Sequence, residues 1–258
     1  MRITSLIENT TSKNGITAEH GLSLFIETKD HKILFDMGQT DAFAANAEVL
    51  GIDLAAADIA VLSHGHYDHG GGLRRFFEIN HTAPVYVSPY AFEPHYHGAD
   101  RYIGIDPSLA DEPRMIAVSD GFVIDDGLTL YSCNSRSKKY ELGSFGLDVM
   151  RDGRLLPDDF IHEQYLLIEE DGHRVLISGC SHKGILNIAE WFSPDVLVGG
   201  FHFSGLPVDD TLAGYAEHLN KFDTDYFTCH CTGTEQYAFM KERMPRLGYL
   251  PAGEWVEV

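Results

Sequence analysis

Apolar and polar residues alternate along this chain with two periods, and the switches between them mark out its elements. Leu22 to Glu27 and Lys32 to Phe35 are short, strand-like runs on either side of Lys29-Asp30-His31, which predicts a hairpin. Ala42 to Leu50 follows the helical period, and Ile59-Ala60-Val61-Leu62 reads as a short buried strand. A helix is predicted from Gly70 to Ile79 and a strand from Pro84 to Val87. From Ser88 to about Ser119 the pattern breaks down into a segment rich in Tyr, His, Pro and Gly. Irregular stretches of that length inside compact domains are usually functional or mobile.

Strand signals return at Phe122 to Ile124 and Leu128 to Tyr131. Tyr165 to Glu169 and Arg174 to Ile177 form a second hairpin around Asp171-Gly172. Helices are predicted at Gly184 to Trp191, Asp209 to Asn220 and Thr234 to Met244, with strands at Val196 to Val198 and Tyr226 to Thr228. Each half therefore opens with a hairpin and then alternates strand with helix. Two β-rich halves with helices outside point to an α/β chain built as a four-layer αββα sandwich, with ligands at an edge where strands end in loops. No repeat or Pro/Gly/Ser-rich linker divides the sequence, so a single domain over 1–258 is expected.

Composition narrows the partners. Apolar residues make up 44% and charged residues 22%, as in ordinary globular proteins. Nineteen Lys and Arg face 39 Asp and Glu, a formal charge of -20. Such a surface repels phosphate backbones and anionic lipid over a Debye length of about 10 Å. Nucleic acid and membrane are thus poor partners, and a small molecule is the expected one. No apolar run approaches bilayer length, and Met1 to Leu6 lacks a signal peptide's apolar core, so a cytoplasmic location is expected. The four cysteines do not suggest a disulfide framework, and Cys229-His230-Cys231 is not a CxxC pair.

Fourteen histidines are the informative residues. Leu62-Ser63-His64-Gly65-His66-Tyr67-Asp68-His69-Gly70-Gly71-Gly72 packs three of them and an aspartate behind an apolar strand and before a helix. His64 and His66, two apart on an extended segment, can reach one ion, while Asp68 and His69 can point at a second. The bland reading, a histidine-rich loop without metal, suits one histidine better than this group of four residues.

This segment resembles the HxHxDH signature of the metallo-β-lactamase superfamily, and the likeness extends over nearly the whole chain. The resemblance implies the αββα sandwich and one or two divalent cations at its edge, zinc foremost, with iron or manganese as alternatives. It implies that Asp36, in Phe35-Asp36-Met37-Gly38, supports the histidines rather than binding metal. Cys180 stands where the family carries a bridging Asp, either as a thiolate ligand or as a small buried residue. For the remaining ligands His162 lies about the family's distance ahead of Cys180 but is followed by Glu163-Gln164 rather than the usual small-residue turn, so His182 is preferred, with His230 as the last. Five separated motifs narrow the likeness: Glu19 to Ser23, His64 to Gly72, Gly179 to Ile185, Gly199 to His202 and His230 to Gly233. Together they resemble the dihydropterin synthase-like branch of the superfamily.

If the branch carries its activity, a hydroxymethyl-dihydropterin diphosphate is joined to an aminobenzene ribofuranosyl phosphate and diphosphate leaves. The metals then act as Lewis acids on the leaving phosphates. Asp68, His202 and His20 are the candidate catalytic groups, the two histidines as phosphate contacts or proton carriers. Satisfied structural histidines are an equal reading of both. Arg136, Lys138 and Lys139 form the densest basic run, readable as phosphate contacts or as a solvated hairpin face. Tyr90 to Tyr102, with His95 and His97, is a candidate cover whose aromatics could stack on a flat heterocycle. The alternative activity is hydrolysis of an ester, lactone or phosphodiester bond by a metal-activated water, and a metal-binding sensor without turnover is the reading from another class. A nuclease is disfavoured by length and charge.

Overall fold

The computed structural model describes residues 1–258. One seven-stranded sheet runs, edge to edge, Trp255–Glu257, Arg2–Ile7, Ser23–Glu27, Lys32–Phe35, Ile59–Val61, Val85–Val87 and Met115–Ala117. The other runs Leu247–Tyr249, Asp225–Thr228, Val196–Gly199, His173–Ile177, Tyr165–Glu170, Leu128–Tyr131 and Phe122–Asp125. In both sheets, antiparallel pairing in the hairpin half passes into parallel pairing across helical crossovers.

The strand period of two decides which side chains go where. Leu24 and Ile26 point between the sheets, where they meet Leu128, Leu166 and Val198. Phe25 and Leu34 point the other way, onto Phe43, Ala47 and Phe76 beneath the outer helices. In the second half Leu167, Leu176 and Leu197 pack outward onto Ile188, Leu212 and Met240. Both faces of each sheet are therefore buried, which is why the parallel strands read as unbroken apolar runs. The layers are helix, sheet, sheet, helix.

The first strand, Arg2–Ile7, and the edge strands Leu247–Tyr249 and Trp255–Glu257 add to the pattern read from sequence. The helix expected from Gly70 to Ile79 is two pieces, Tyr67–Gly70 and Leu73–Ile79. Between them the backbone of Gly72 passes so close to Met37 that a Cβ would lie 2.3 Å from its carbonyl oxygen. The irregular segment holds His95–His97 and Arg101–Tyr102, which join Leu147–Arg151 and Arg154–Pro157 in a four-stranded antiparallel sheet. No helix is long and apolar enough to cross a membrane.

Four parallel strands finish at one edge. Their carboxyl ends release Ser63-His64, Ser178-Gly179-Cys180, Gly200-Phe201-His202 and Cys229-His230, the position where α/β sheets present ligands.

Candidate metal centre

The loops at that edge enclose a cleft lined by His66, Asp68, Cys180, His182, His202 and His230, among others. Three of the site's imidazoles arrive with a hydrogen-bonded reason for their pose. Asp36, fully buried and at φ 59°, accepts from Ser63 N at 2.7 Å on one carboxylate oxygen. Its other oxygen accepts from the Ser63 hydroxyl at 2.7 Å and lies 2.6 Å from His69 Nδ1. A carboxylate only accepts, so His69 carries its proton on Nδ1 and turns Nε2 to the cleft. Ser63 has given its one proton to Asp36, so its oxygen, 2.8 Å from His64 Nδ1, accepts there and leaves His64 Nε2 as a lone pair. His230 Nδ1 lies 2.8 Å from Asn9 Oδ1, and its backbone N–H donates to Glu8 at 2.7 Å. Its Nε2 is thereby aimed at Asp68 Oδ2, 3.3 Å away.

The donor atoms form two neighbouring sets. His64, His66 and His182 bring one atom each to within 4.8 Å of one another. His69 Nε2 lies 3.1 Å from Cys180 Sγ, 3.3 Å from His230 Nε2 and 3.7 Å from Asp68 Oδ2. His64 Nε2 and both nitrogens of His182 are buried without any hydrogen-bond partner. An unsatisfied buried polar group costs about 1–3 kcal/mol, and several converging on one point are what a cation would satisfy. Imidazole with carboxylate and thiol suits zinc, iron or manganese. The residues present fit one or two such ions.

Electrostatics agrees with that donor set. Burial, then the neighbouring imidazoles, drives His64 and His66 well below the usual histidine range, so both stay neutral with lone pairs to give. Burial and His202 do the same to His182. Burial opposes ionisation of Asp68, but His69, His20 and His230 outweigh it and hold the carboxyl well below its ordinary value. Burial also opposes charge on His69, yet Asp36 and Asp68 raise it to about 9. A proton on His69 thus takes the place a cation would hold.

The structure gathers His64, His66, Asp68, His69, Cys180, His182, His202 and His230 at this edge. His20 reaches it from outside, 58% exposed, with Nε2 3.3 Å from Asp68 Oδ2. His162 lies behind His66, in a separate group with His95 and Asp158. Arg136, Lys138 and Lys139 are not among the residues lining the cleft. Arg136 instead bonds to the Trp191 carbonyl, and Lys139 pairs with Glu190 at 2.8 Å. From the expected cover, His97 and Arg101 line the cleft, and Arg101 is the single Lys or Arg that does. Sequence reasoning missed Cys231, whose thiol shares a group with Cys180 and His202, and it missed Glu8 and Asn9. The signal for Cys231 was its place beside His230 at a strand end. Glu8 and Asn9 gave none. Four non-glycine residues here, Asp36, Ser181, His202 and His230, have left-handed backbones at φ 59°, 61°, 56° and 49°.

Comparison with known proteins follows the same line. The metallo-beta-lactamase superfamily model matches residues 16–204. An uncharacterized protein of Methanocaldococcus jannaschii is 31% identical over 239 residues, 88% of this chain and 89% of that one. The same organism's 7,8-dihydropterin-6-methyl-4-(beta-D-ribofuranosyl)-aminobenzene-5'-phosphate synthase is 26% identical, over 93% of this chain and 90% of its own. Among solved structures, Tm1679, described as a metal-dependent hydrolase of the beta-lactamase superfamily, superposes with a TM-score of 0.85 at 31% identity. That match covers 100% of this chain and 99% of Tm1679. Zinc-bound PqqB from Methylobacterium extorquens shares the fold at 11% identity, with a TM-score of 0.61 and full coverage of both chains. The chain belongs to the metallo-β-lactamase superfamily.

Proposed function

We propose that this chain is a metal-dependent enzyme acting on a phosphorylated small molecule, as a synthase or transferase. His64, His66 and His182 would hold one divalent cation, and Asp68, His69 and His230 a second, with Cys180 beside both sets. The observation that carries the reading is the buried, unpartnered nitrogens of His64 and His182 converging in the cleft. Bound cations supply Lewis acidity toward a phosphoryl, carbonyl or water oxygen.

The chain's own residues do the rest. Asp36 and Asn9 fix the tautomers of His64, His69 and His230, so their lone pairs need no reorganisation. Arg101 Nη2 rests on the Tyr67 hydroxyl at 2.9 Å and offers its remaining N–H groups at the cleft mouth. In a chain of charge -20, one guanidinium there favours an anionic substrate group. His20, raised in pKa by its hydrogen bond to Asp68, is a proton store on the open side of the site. The likeness to the ribofuranosyl-aminobenzene phosphate synthase supports a pterin-like substrate joined with loss of diphosphate.

A metallohydrolase of an ester, lactone or phosphodiester bond is the second reading, favoured by the likeness to Tm1679. Metal analysis of purified protein, then a panel of lactone, phosphodiester and pterin diphosphate substrates, separates the two. The synthase reading expects diphosphate release only when the pterin and aminobenzene partners are both present. Phosphodiester hydrolysis without pterin turnover replaces it with the hydrolase. His66→Ala should abolish turnover and lower bound metal while the circular dichroism spectrum stays that of a folded chain. A fully metallated, active variant would refute the ligand set.

A further inference from the structure

His64, His69 and His230 each have a rear nitrogen whose partner is visible: Ser63, Asp36 and Asn9. His66 does not. Its Nε2 is buried with no partner, while the ring borders the cleft on its other side. Behind it lies a second buried group of His95, Asp158 and His162. The His95 and His162 rings are 4.0 Å apart, and the His66 ring is 5.4 Å and 5.1 Å from them.

Three imidazoles and a carboxylate with donor atoms within 4.8 Å have the composition of another cation site, but Asp158 and the Gly65 N–H already occupy one ring nitrogen each of His95 and His162. Gly65 N–H donates to His162 Nδ1 at 2.9 Å, so the proton of neutral His162 is on Nε2, which lies 3.3 Å from Asp158 Oδ2 but out of line for a hydrogen bond. His95 Nδ1 lies 2.8 Å from the same oxygen and carries its own proton there. The other Asp158 oxygen accepts from Phe160 N at 2.7 Å. With its Nδ1 proton turned to Asp158, His95 leaves Nε2 buried and unpartnered, like those of His66 and His162. The His66 and His95 rings face one another at 82°.

We propose that His95, backed by Asp158, accepts the Nε2 proton of His66 and so keeps the cleft-side nitrogen of His66 bare for the cation. This inference rests on the reading of His66 as a ligand. The relay repeats His64–Ser63–Asp36 with an imidazole in place of the hydroxyl. A carboxylate at the far end of such a chain fixes the ring and strengthens its donor nitrogen. The packing is close: a Cβ on Gly65 would lie 2.1 Å from the Ala91 carbonyl oxygen and 3.0 Å from His95 Nε2. His95 belongs to the small sheet that also carries His97, Arg101 and Leu147 to the cleft wall. One element thus lines the substrate side and steadies a ligand from behind.

The test is zinc affinity by chelator competition, with the visible spectrum of the cobalt-loaded protein as a second readout. His95→Phe should weaken the cation at His66 about 10–100-fold and shift the cobalt bands. His95→Gln, which offers both an acceptor and a donor, should recover most of that loss, and Asp158→Asn should fall between. A purely structural role would lower the melting temperature of the Phe and Gln variants alike and leave the cobalt bands in place. Wild-type affinity and spectrum in both His95→Phe and Asp158→Asn overturn the inference, as does anomalous scattering from an ion between His66 and His95. His66→Ala separates the two proposals. If it loses the cation while His95→Phe does not, only the relay fails; if it keeps the full metal content, the ligand reading fails first and the relay with it.

Discussion

His64 and His69 in the first half of the sandwich and His182 in the second are held at the cleft by different physics. In the first half one carboxylate, Asp36, ropes His64 and His69 through Ser63 and directly, and both rings are set before any cation arrives. In the second half His182 has no hydrogen bond at either nitrogen. It is held by stacking, 4.5 Å and 9° from the ring of Phe160, with the His202 ring 4.3 Å away. A stacked ring is fixed in plane but free in tautomer. His64, His69 and His230 are therefore preorganised, and His182 takes its final proton arrangement from what binds.

The contrast breaks most readily at Asp36. Asp36→Ala strands three buried donors, on Ser63 and His69, and should cost about 3–5 kcal/mol with loss of metal from both sets. Chemical denaturation in chelator and metal analysis give the two numbers, and a variant of wild-type stability would dissolve the distinction. Acidity gives the next largest effect. His69 is raised from the ordinary 6.5 to about 9, so its contribution to the metal-free fold is complete below 6.5 and disappears as pH climbs through 9. Zinc affinity should move oppositely, rising about tenfold per pH unit up to about 9 if one proton leaves as the ion binds. Titrating both properties from about pH 6 to about pH 10 checks the sign, and parallel slopes would contradict it.

Phe160→Leu keeps most of the volume and removes the stack, so zinc affinity should fall about fivefold, the worth of one aromatic pair. A loss as deep as that of Asp36→Ala would mean His182 is as rigidly set as His64 and His69. The smallest change belongs to His20→Ala. An exposed histidine beside Asp68 should alter metal affinity about twofold, as surface pairs do, while turnover reveals any proton carried there.

How much of this the sequence displays follows from where each signal sits along the chain. The hairpins at Leu22 to Phe35 and Tyr165 to Ile177 announce themselves because both faces of each sheet are buried and the turns are polar. Leu147–Pro157 escapes because its strands are mostly half-exposed and carry little alternation. His64 to His69 is legible because four donors share one loop. Of their backing only Asp36 is legible, through the family motif; the rest is not, since His95 meets Asp158 across 63 positions and, for the last histidine, Asn9 meets His230 across 221. Asp158 reads as one more acidic residue among 39. Arg101 is hidden differently: it falls within the expected cover of Tyr90 to Tyr102, but nothing there singles it out or tells that its strand joins a sheet.

The left-handed backbones at Asp36, Ser181, His202 and His230 have a price of about 1–2 kcal/mol each that glycine would not incur. Four bent main-chain positions gathered around one opening amount to a standing tension in the molecule. Glycine at His202, which has no buried side-chain hydrogen bond to lose, should make a sturdier protein with an emptier cleft, so that side chain was kept against the grain of stability.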